Sequence, residues 1–381
     1  MIYLDCHATT PLDSRVLNEM MPYFTDKFGN ASSMDHPYGY EASAAVELAR
    51  KKIATAIKAR HDEIIFTSGA TESNNIALIG TMAKYKNIGD HLITCTTEHK
   101  SILDTSAHLK NIGKKITYLK VNQYGEIDLD ELKNAITEQT VIMSIMAANN
   151  EIGTISDLKE IGKIAHEKNI LFHTDAAQAV GHIPIDVNDM NVDLMSISAH
   201  KMYGPKGIGA LYVRGIKPRV RLEPIVHGGG QERNIRSGTL NVPGIVGFGK
   251  AIEIAIKEMD DENKSLGIWI KNMLKTFENA GGKLNGHPIN RLPYNLNISF
   301  PGIESKAIIN GLSKDIAISS GSACTAQTVE PSHVILALGH DEEYAHSSIR
   351  IGLGRFTKEK DVIYCTNAVL KMIKKLKNFT M

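Results

Sequence analysis

The chain has 381 residues, with 43 lysine and arginine residues against 42 aspartate and glutamate residues, and a formal net charge of +1. So small a net charge creates no global field that would attract nucleic acid or an anionic membrane, so we expect small or locally recognised partners. No apolar run approaches the ~20 residues that span a bilayer. The amino terminus has no signal-peptide pattern, so we expect a cytoplasmic protein.

Short apolar, β-rich runs alternate with amphipathic stretches over the first part of the chain. This alternation is typical of a mostly parallel sheet with helices on both faces, which is an α/β fold. The runs cover residues 63–67, 92–96, 116–121, 141–147, 170–174, 194–198 and 209–213.

A long helical pattern from about residue 242 to residue 280 leads into a second set of elements. There we predict strands at 295–300, 316–319 and 348–352, and a helix at 358–377. The second region is predicted to be a smaller α+β domain. The predicted division is a large domain of residues 15–255 and a small domain of residues 1–14 and 256–381.

Polar segments follow the predicted strands. In open α/β sheets, ligands gather at the carboxyl ends of the strands. The common position of these segments therefore predicts one shared pocket. They cover residues 68–73, 98–100, 149–153, 175–178 and 198–201.

Lys201 ends the apolar run 193–201 and precedes a Gly-Pro-Lys-Gly turn. An amine at the end of a buried strand, beside a hydroxyl and an imidazole, suits a covalently held aldehyde cofactor. Lysine becomes a nucleophile when desolvation or nearby cations lower its pKa, and a Schiff base with pyridoxal phosphate is a common result. A surface lysine before a loop is the alternative that this segment alone leaves open.

Segment 68–73 joins a strand to a helix start, where backbone N–H groups and the helix dipole favour an anion. Ser198 and His200 would bring further donors to the same phosphate. An ordinary helix cap by Thr71 or Ser73 is the alternative.

Three further residues could contact the ring of such a cofactor. Asp175 could bond to the pyridinium nitrogen, or cap the next helix instead. Gln178 could donate to the ring oxygen. His99 could stack on the ring and act as an acid or base, although a lone histidine is more often structural.

The four cysteines, at positions 6, 95, 324 and 365, have no metal-ligand spacing, so we expect reduced thiols. Cys95 lies in an apolar run and is predicted to be a core residue. Cys324 stands among small polar residues, a composition typical of a mobile, exposed loop in which a thiol can meet a substrate. Arg350 offers a planar fork for a substrate carboxylate, with a surface ion pair as the alternative.

Together these residues resemble the pyridoxal-phosphate-dependent cysteine desulfurases of the class V aminotransferase group. The segment around Cys324 is similar to the long-loop type that serves iron–sulfur assembly and nitrogenase maturation. The matching segments follow the family's order along nearly the whole chain. They are 3–5, 8–11, 67–74, 97–99, 149–153, 173–178, 198–201, 203–207, 236–239, 320–325, 348–350 and 353–355.

The resemblance implies the type I fold of pyridoxal-phosphate-dependent transferases and a role for each matching residue. Lys201 would hold the cofactor, with His99 as a second catalytic group. The other implied contacts are Asp175 and Gln178 with the ring, Ala70, Thr71, Ser198 and His200 with the phosphate, Thr239 with the phosphate of a neighbouring subunit in a homodimer, and Asn150 and Arg350 with the substrate carboxylate.

The reaction that the resemblance implies converts L-cysteine to L-alanine and leaves the sulfur on Cys324 as a persulfide for an acceptor protein. A selenocysteine lyase or an aminotransferase of the same fold group stays open, as does a non-catalytic sulfur-relay scaffold. Acceptors in iron–sulfur assembly, tRNA thiolation and DNA phosphorothioation also stay open. Cys6 and His7 stand where the family usually has other residues, and the sequence predicts only a buried thiol beside a local hydrogen bond.

Overall fold

The computed structural model describes residues 1–320 and 330–380. Its strands, in chain order, are β1 (Ile2–Tyr3), β2 (Ile64–Thr67), β3 (His91–Cys95), β4 (Lys115–Leu119), β5 (Thr140–Ser144), β6 (Leu171–Asp175), β7 (Leu194–Ser198), β8 (Gly209–Val213), β9 (Lys283–Leu284), β10 (Asn295–Ser299), β11 (Ile316–Ala317) and β12 (Ser348–Gly352). Its α-helices are α1 (Ser14–Met20), α2 (Pro22–Thr25), α3 (Pro37–Ala56), α4 (Ala70–Lys84), α5 (Lys100–Asn111), α6 (Leu129–Ala135), α7 (Leu158–Glu167), α8 (Val242–Asn279), α9 (Ser305–Leu312), α10 (His333–Ala337), α11 (Glu342–His346) and α12 (Glu359–Thr380).

The largest sheet has the strand order β2-β8-β7-β6-β5-β3-β4. Strand β8 runs antiparallel to both β2 and β7, whereas the pairs from β7 to β4 are all parallel. The mostly parallel α/β sheet that the sequence predicts is therefore confirmed. Because β2 and β7 share one direction, every strand of this sheet except β8 ends at the same edge.

Both faces of this sheet are buried. Ile64 and Phe66 belong to the core cluster that contains Ile53 of α3 and Phe248 of α8. Ile65, which lies between them, belongs to a second cluster on the opposite face. Successive side chains of a strand point to opposite faces, so burial on both sides produces continuous apolar runs instead of an alternating pattern.

A smaller sheet has the order β12-β10-β9, and β1 pairs in parallel with β11. The predicted strand at 316–319 is shorter than expected, because Ser319 pairs separately with Arg350. The amino-terminal segment runs from this region to the large sheet, where Thr10 N donates to His200 O at 3.0 Å. The division into domains at residues 14 and 255 stays a prediction.

The predicted helices at 242–280 and 358–377 are confirmed as α8 and α12. The predicted strand at 141–147 is shorter and ends at Ser144. Beyond it, Ala147 N still donates to Asp175 O at 2.9 Å, but β3 on the other side has already ended at Cys95. No helix in residues 1–320 or 330–380 is long and apolar enough to cross a membrane.

Candidate active site

A cavity of about 500 Å³ lies at the edge of the large sheet where its parallel strands end. The single shared pocket that the sequence predicts is therefore confirmed. Thr239 is exposed and does not line this cavity, and Cys324 lies outside the described residues. The predicted site residues that do line it are Ala70, Thr71, His99, Asn150, Asp175, Gln178, Ser198, His200, Lys201 and Arg350.

Lys201 lies in a 3-10 turn, Ala199–Lys201, directly after β7. Its Nζ donates to the backbone carbonyls of His7 and Ala8, the latter at 2.9 Å. The Nε2 of His182 donates to the carbonyl of Lys201 at 2.9 Å, which holds the backbone of Lys201 in place. The alternative of a surface lysine is wrong, because Lys201 is half-buried and faces the cavity.

The turn between β2 and α4 leaves the amino terminus of α4 open to the cavity. Gly69 is the N-cap residue, has a φ of +154° and makes no side-chain cap bond. A Cβ atom at Gly69 would meet no other atom within 4 Å. The Ser73 hydroxyl instead pairs with Thr67 Oγ1 at 2.8 Å, so the alternative of a cap by Thr71 or Ser73 is wrong. The free first-turn N–H groups and the helix dipole suit a bound anion.

His200 also lines the cavity. Its Nδ1 lies 3.1 Å from Thr9 Oγ1. Burial, together with the positive charges of Lys201 and Lys206, lowers the pKa of His200 to about 4. The imidazole is therefore uncharged near neutral pH, and the positive charge for an anion comes from the lysines.

Asp175 ends β6 and is 5% exposed. Its Oδ2 accepts from Asn74 Nδ2 at 2.7 Å, and its Oδ1 accepts from the backbone N–H of Ala177 at 2.9 Å. The next regular element after Asp175 is β7, so the alternative of a helix cap is wrong. These bonds hold a carboxylate in a fixed orientation at the cavity wall.

Asn74 also connects Asp175 to His99. The Asn74 Nδ2 donates to Ser101 Oγ at 2.8 Å, and that oxygen lies 2.8 Å from His99 Nδ1. The backbone N–H of Ser101 also donates to His99 Nδ1, at 3.1 Å. Nδ1 therefore accepts, and a neutral His99 ring carries its proton on Nε2. Sequence reasoning missed Asn74 and Ser101, although both adjoin the polar segments that it singled out.

Replacing Asn74 with leucine should lower the free energy of unfolding by about 1–3 kcal/mol, because it removes a buried donor from two acceptors. Chemical denaturation of the protein without added ligand measures this change. Asn75→Leu, one position further along α4, is the control, because Asn75 is less buried and does not contact Asp175 or Ser101. An Asn74→Leu protein as stable as the Asn75→Leu protein would contradict a structural role for this link.

Arg350 is only 1% exposed, so the alternative of a surface ion pair is wrong. Its Nη2 donates to Asp5 Oδ1 at 2.8 Å, and its Nη1 donates to the carbonyl of Asn150 at 2.9 Å. These two bonds hold the guanidinium at the cavity wall. An anionic group of a substrate would find its counter-charge here.

The cysteines within the described residues are all buried. Burial raises the pKa of Cys6 to about 12, that of Cys95 to about 11 and that of Cys365 to about 12. Thiols react as thiolates, so these three are inert near neutral pH. The prediction that Cys95 is a core residue is confirmed.

The chain matches the family model described as aminotransferase class-V over residues 2–364. Over all 381 residues it is 53% identical to the cysteine desulfurase IscS of Rickettsia bellii (strain OSU 85-389), covering 92% of that protein. Its identity to the cysteine desulfurase IscS of Rickettsia prowazekii (strain Madrid E) is 52%, again with 100% and 92% of the two chains covered.

Solved structures share the fold. A NifS-like protein superposes with a TM-score of 0.92 at 38% identity, covering 98% of this chain and 100% of that one. SspA in complex with cysteine superposes with a TM-score of 0.81 at 38% identity, covering 93% and 99%. This chain therefore belongs to the aminotransferase class-V family and, within it, to the cysteine desulfurases.

Proposed function

We propose that this chain holds pyridoxal 5′-phosphate on Lys201 and converts L-cysteine to L-alanine, passing the sulfur to Cys324. The observation that carries the proposal is the convergence of an amine, a fixed carboxylate and an open helix terminus in one cavity. Dependence on pyridoxal phosphate is a general property of the family. One structural neighbour, SspA, is described in complex with cysteine.

The residues that line the cavity fit this cofactor in charge and in hydrogen bonding. The phosphate would bind at the amino terminus of α4, where Gly69 leaves open space. Asp175 would face the protonated ring nitrogen, and Gln178 would donate to the ring oxygen. When bound, the cofactor bonds covalently to an amine, and its protonated ring accepts electrons from the substrate. The phosphate contacts would come from the backbone of Ala70 and Thr71 and from the side chains of Ser198 and His200.

The substrate would be oriented by its carboxylate, held by Arg350 and Asn150. Lys201 Nζ would take the proton from the α carbon, while His99 would stack on the ring and serve as acid or base. The thiolate of Cys324 then bonds to the substrate sulfur, and the carbon–sulfur bond of the substrate breaks. The electron pair of that bond stays on carbon, which takes a proton, so the products are alanine and a persulfide on Cys324.

The other thiols of the chain support the assignment of Cys324. Cys6, Cys95 and Cys365 are buried, and their pKa values are raised, so none of them is a competent nucleophile. With four cysteines in the chain, Cys324 is the one that remains. An aminotransferase reaction needs no such thiol.

The active protein is proposed to be a homodimer that delivers sulfur to an acceptor protein in the cytoplasm. Exposed large apolar side chains are frequent in the first forty residues, among them Met21, Phe24 and Phe28 at 48%, 56% and 65% exposure. Contiguous apolar surface is typical of contacts with another protein, so these exposed side chains support the proposed homodimer. Thr239 is exposed, so it is accessible to a neighbouring subunit's phosphate.

The test is to supply purified protein with L-cysteine and a thiol reductant and to measure alanine, sulfide and 3-mercaptopyruvate. Desulfuration gives alanine and sulfide in equal amounts, whereas transamination removes the amino group and gives no alanine from cysteine. A parallel assay with selenocysteine separates a lyase for that substrate from a desulfurase. If neither alanine nor cofactor absorption is observed, the result would favour the alternative of a non-catalytic sulfur-relay scaffold.

Replacing Arg350 with lysine should raise the KM for L-cysteine by about tenfold or more, with a smaller change in kcat. A hydrogen bond to a charged group contributes ~1.5–3 kcal/mol, and ~1.4 kcal/mol is a factor of ten in binding. Arg355→Lys is the matched control, because the Arg355 side chain is also little exposed, at 8%, and is ion-paired with Asp13 and Glu262, but does not line the cavity. Equal KM values for the two variants would contradict this role for Arg350.

A further inference from the structure

His7 lies at the point where the amino-terminal segment meets the cavity, and it is 1% exposed. Its backbone carbonyl accepts from Lys201 Nζ and, at 3.0 Å, from Gln178 Nε2. Its ring bonds on both sides, with Nδ1 3.0 Å from Gln178 Oε1 and Nε2 3.0 Å from Asn295 Nδ2. One residue therefore contacts both Lys201 and Gln178.

The donor and acceptor in each of these hydrogen bonds can be assigned from the contacts of Asn295. Arg291 Nη2 donates to Asn295 Oδ1 at 2.8 Å, so the oxygen of this amide faces the guanidinium. The amide nitrogen of Asn295 then faces Glu151 O, at 3.1 Å, and His7 Nε2. Since an amide N–H only donates, His7 Nε2 must be the acceptor of the ring.

The protonation of His7 follows from this direction. Burial, together with the positive charge of Arg350, holds the pKa of His7 well below its ordinary value, so the ring is neutral. A neutral imidazole with an accepting Nε2 carries its proton on Nδ1 and donates to Gln178 Oε1. The result is a chain of hydrogen bonds in which each residue donates to the next one toward the cavity, from Arg291 through Asn295 and His7 to Gln178.

Packing holds the His7 ring in place. It stacks on Tyr294 with the ring centroids 4.9 Å apart and an interplanar angle of 17°. The Tyr294 hydroxyl donates to the carbonyl of Gln178 at 3.1 Å. A Cβ atom at Gly352 would come within 2.7 Å of His7 Cδ2, so only glycine leaves room for the ring.

We propose that His7 is a positioning residue that fixes the amide of Gln178 with its oxygen turned away from the cavity and its remaining N–H available to the ring oxygen of the cofactor. This inference rests on the proposed function, because it assigns a role toward a cofactor held on Lys201. It also gives a reason for a histidine at a position where family resemblance predicted a different residue.

His7→Phe tests the proposal, because phenylalanine keeps an aromatic ring beside Tyr294 and removes both ring hydrogen bonds. We expect the dissociation constant of pyridoxal 5′-phosphate from the apoprotein to rise about threefold to tenfold, the effect of one lost neutral hydrogen bond. The pH midpoint of the bound cofactor's visible absorption should also move upward, since a ring oxygen without its donor retains a proton more readily. His7→Leu serves as a second variant if the larger ring is not accommodated.

Two further variants complete the design. His7→Asn places an amide nitrogen near the position of Nδ1, so it keeps the donor to Gln178 and should restore affinity and absorption. His91→Phe is the matched control, because His91 is another buried histidine whose ring nitrogens are both hydrogen-bonded to side chains, those of Thr140, Thr117 and Thr137, and it does not line the cavity. The His91→Phe substitution should lower the stability of the fold without changing the dissociation constant of the cofactor or the pH midpoint of its absorption.

A His7→Phe apoprotein that binds the cofactor as tightly as the unchanged chain, with the same absorption midpoint, would overturn the proposal. So would a His7→Asn protein as impaired as His7→Phe, because the donor to Gln178 would then be irrelevant. If the unchanged chain itself gains no visible absorption with pyridoxal phosphate, the proposed function fails instead. The two failures are thereby distinguishable.

Discussion

Replacing Lys201 with arginine should abolish the visible absorption band of the covalently held cofactor and lower alanine formation on the order of 10³-fold or more. Arginine keeps a positive charge beside the carbonyls of His7 and Ala8, which accept from Nζ in the unchanged chain. Its guanidinium stays protonated, so it can neither bond covalently to an aldehyde nor remove a proton. Absorption spectroscopy and an alanine assay on the purified variant measure the two losses.

Lys206→Arg is the control for this substitution. Lys206 also lines the cavity, but it is exposed in the turn that follows Lys201. The arginine variant keeps the charge at that position, so absorption and alanine formation should be retained. Loss of the absorption in Lys206→Arg with retention in Lys201→Arg would move the covalent attachment to the other lysine.

Local patterns predicted most of the fold. The strands of the large sheet are buried on both faces, so their residues form continuous apolar runs that stand out in the sequence. The sequence did not predict where strands such as β5 stop, because the end of a strand depends on whether its neighbours continue. The antiparallel direction of β8 is likewise a property of the assembled sheet.

The same distinction applies to the site. Lys201, Asp175 and His99 were predictable because each follows an apolar run, and strand ends collect at one edge of a parallel sheet. The role of His7 was not predictable, because its ring partners Gln178 and Asn295 lie 171 and 288 positions away in the sequence. No local sequence pattern indicates a contact between residues so far apart in the sequence.

Asn74 is an intermediate case. It follows the segment 68–73, which was predicted to bind phosphate, yet it is buried and bonds to Asp175. The reason is its position along the helix, because Asn74 lies one turn, ~5.4 Å, beyond Ala70 and so meets the end of β6 instead of the N–H groups at the amino terminus of α4. Identifying such a side chain requires the packing of α4 against α5 and β6, which the sequence alone does not specify.

Replacing Cys324 with serine should lower alanine formation on the order of 10³-fold or more while leaving the cofactor absorption in place. A serine hydroxyl is a poor nucleophile toward sulfur, and it stays protonated near neutral pH, so the carbon–sulfur bond of cysteine has no acceptor for its sulfur. Addition of L-cysteine should still change the absorption, because Arg350 and Lys201 are intact. Mass spectrometry of the unchanged chain after one turnover should show one added sulfur atom on Cys324.

Cys95→Ser is the matched control, because the same atom is exchanged in a buried thiol whose pKa is raised. Its alanine formation should match that of the unchanged chain. If a Cys324→Ser protein forms alanine from L-cysteine at the unchanged rate, the Cys324 thiol takes no part in the reaction, since the sulfur must then have another acceptor. Formation of 3-mercaptopyruvate without alanine in this variant would instead show that the cavity supports transamination when the sulfur has no acceptor, so that Cys324 determines the outcome of the reaction.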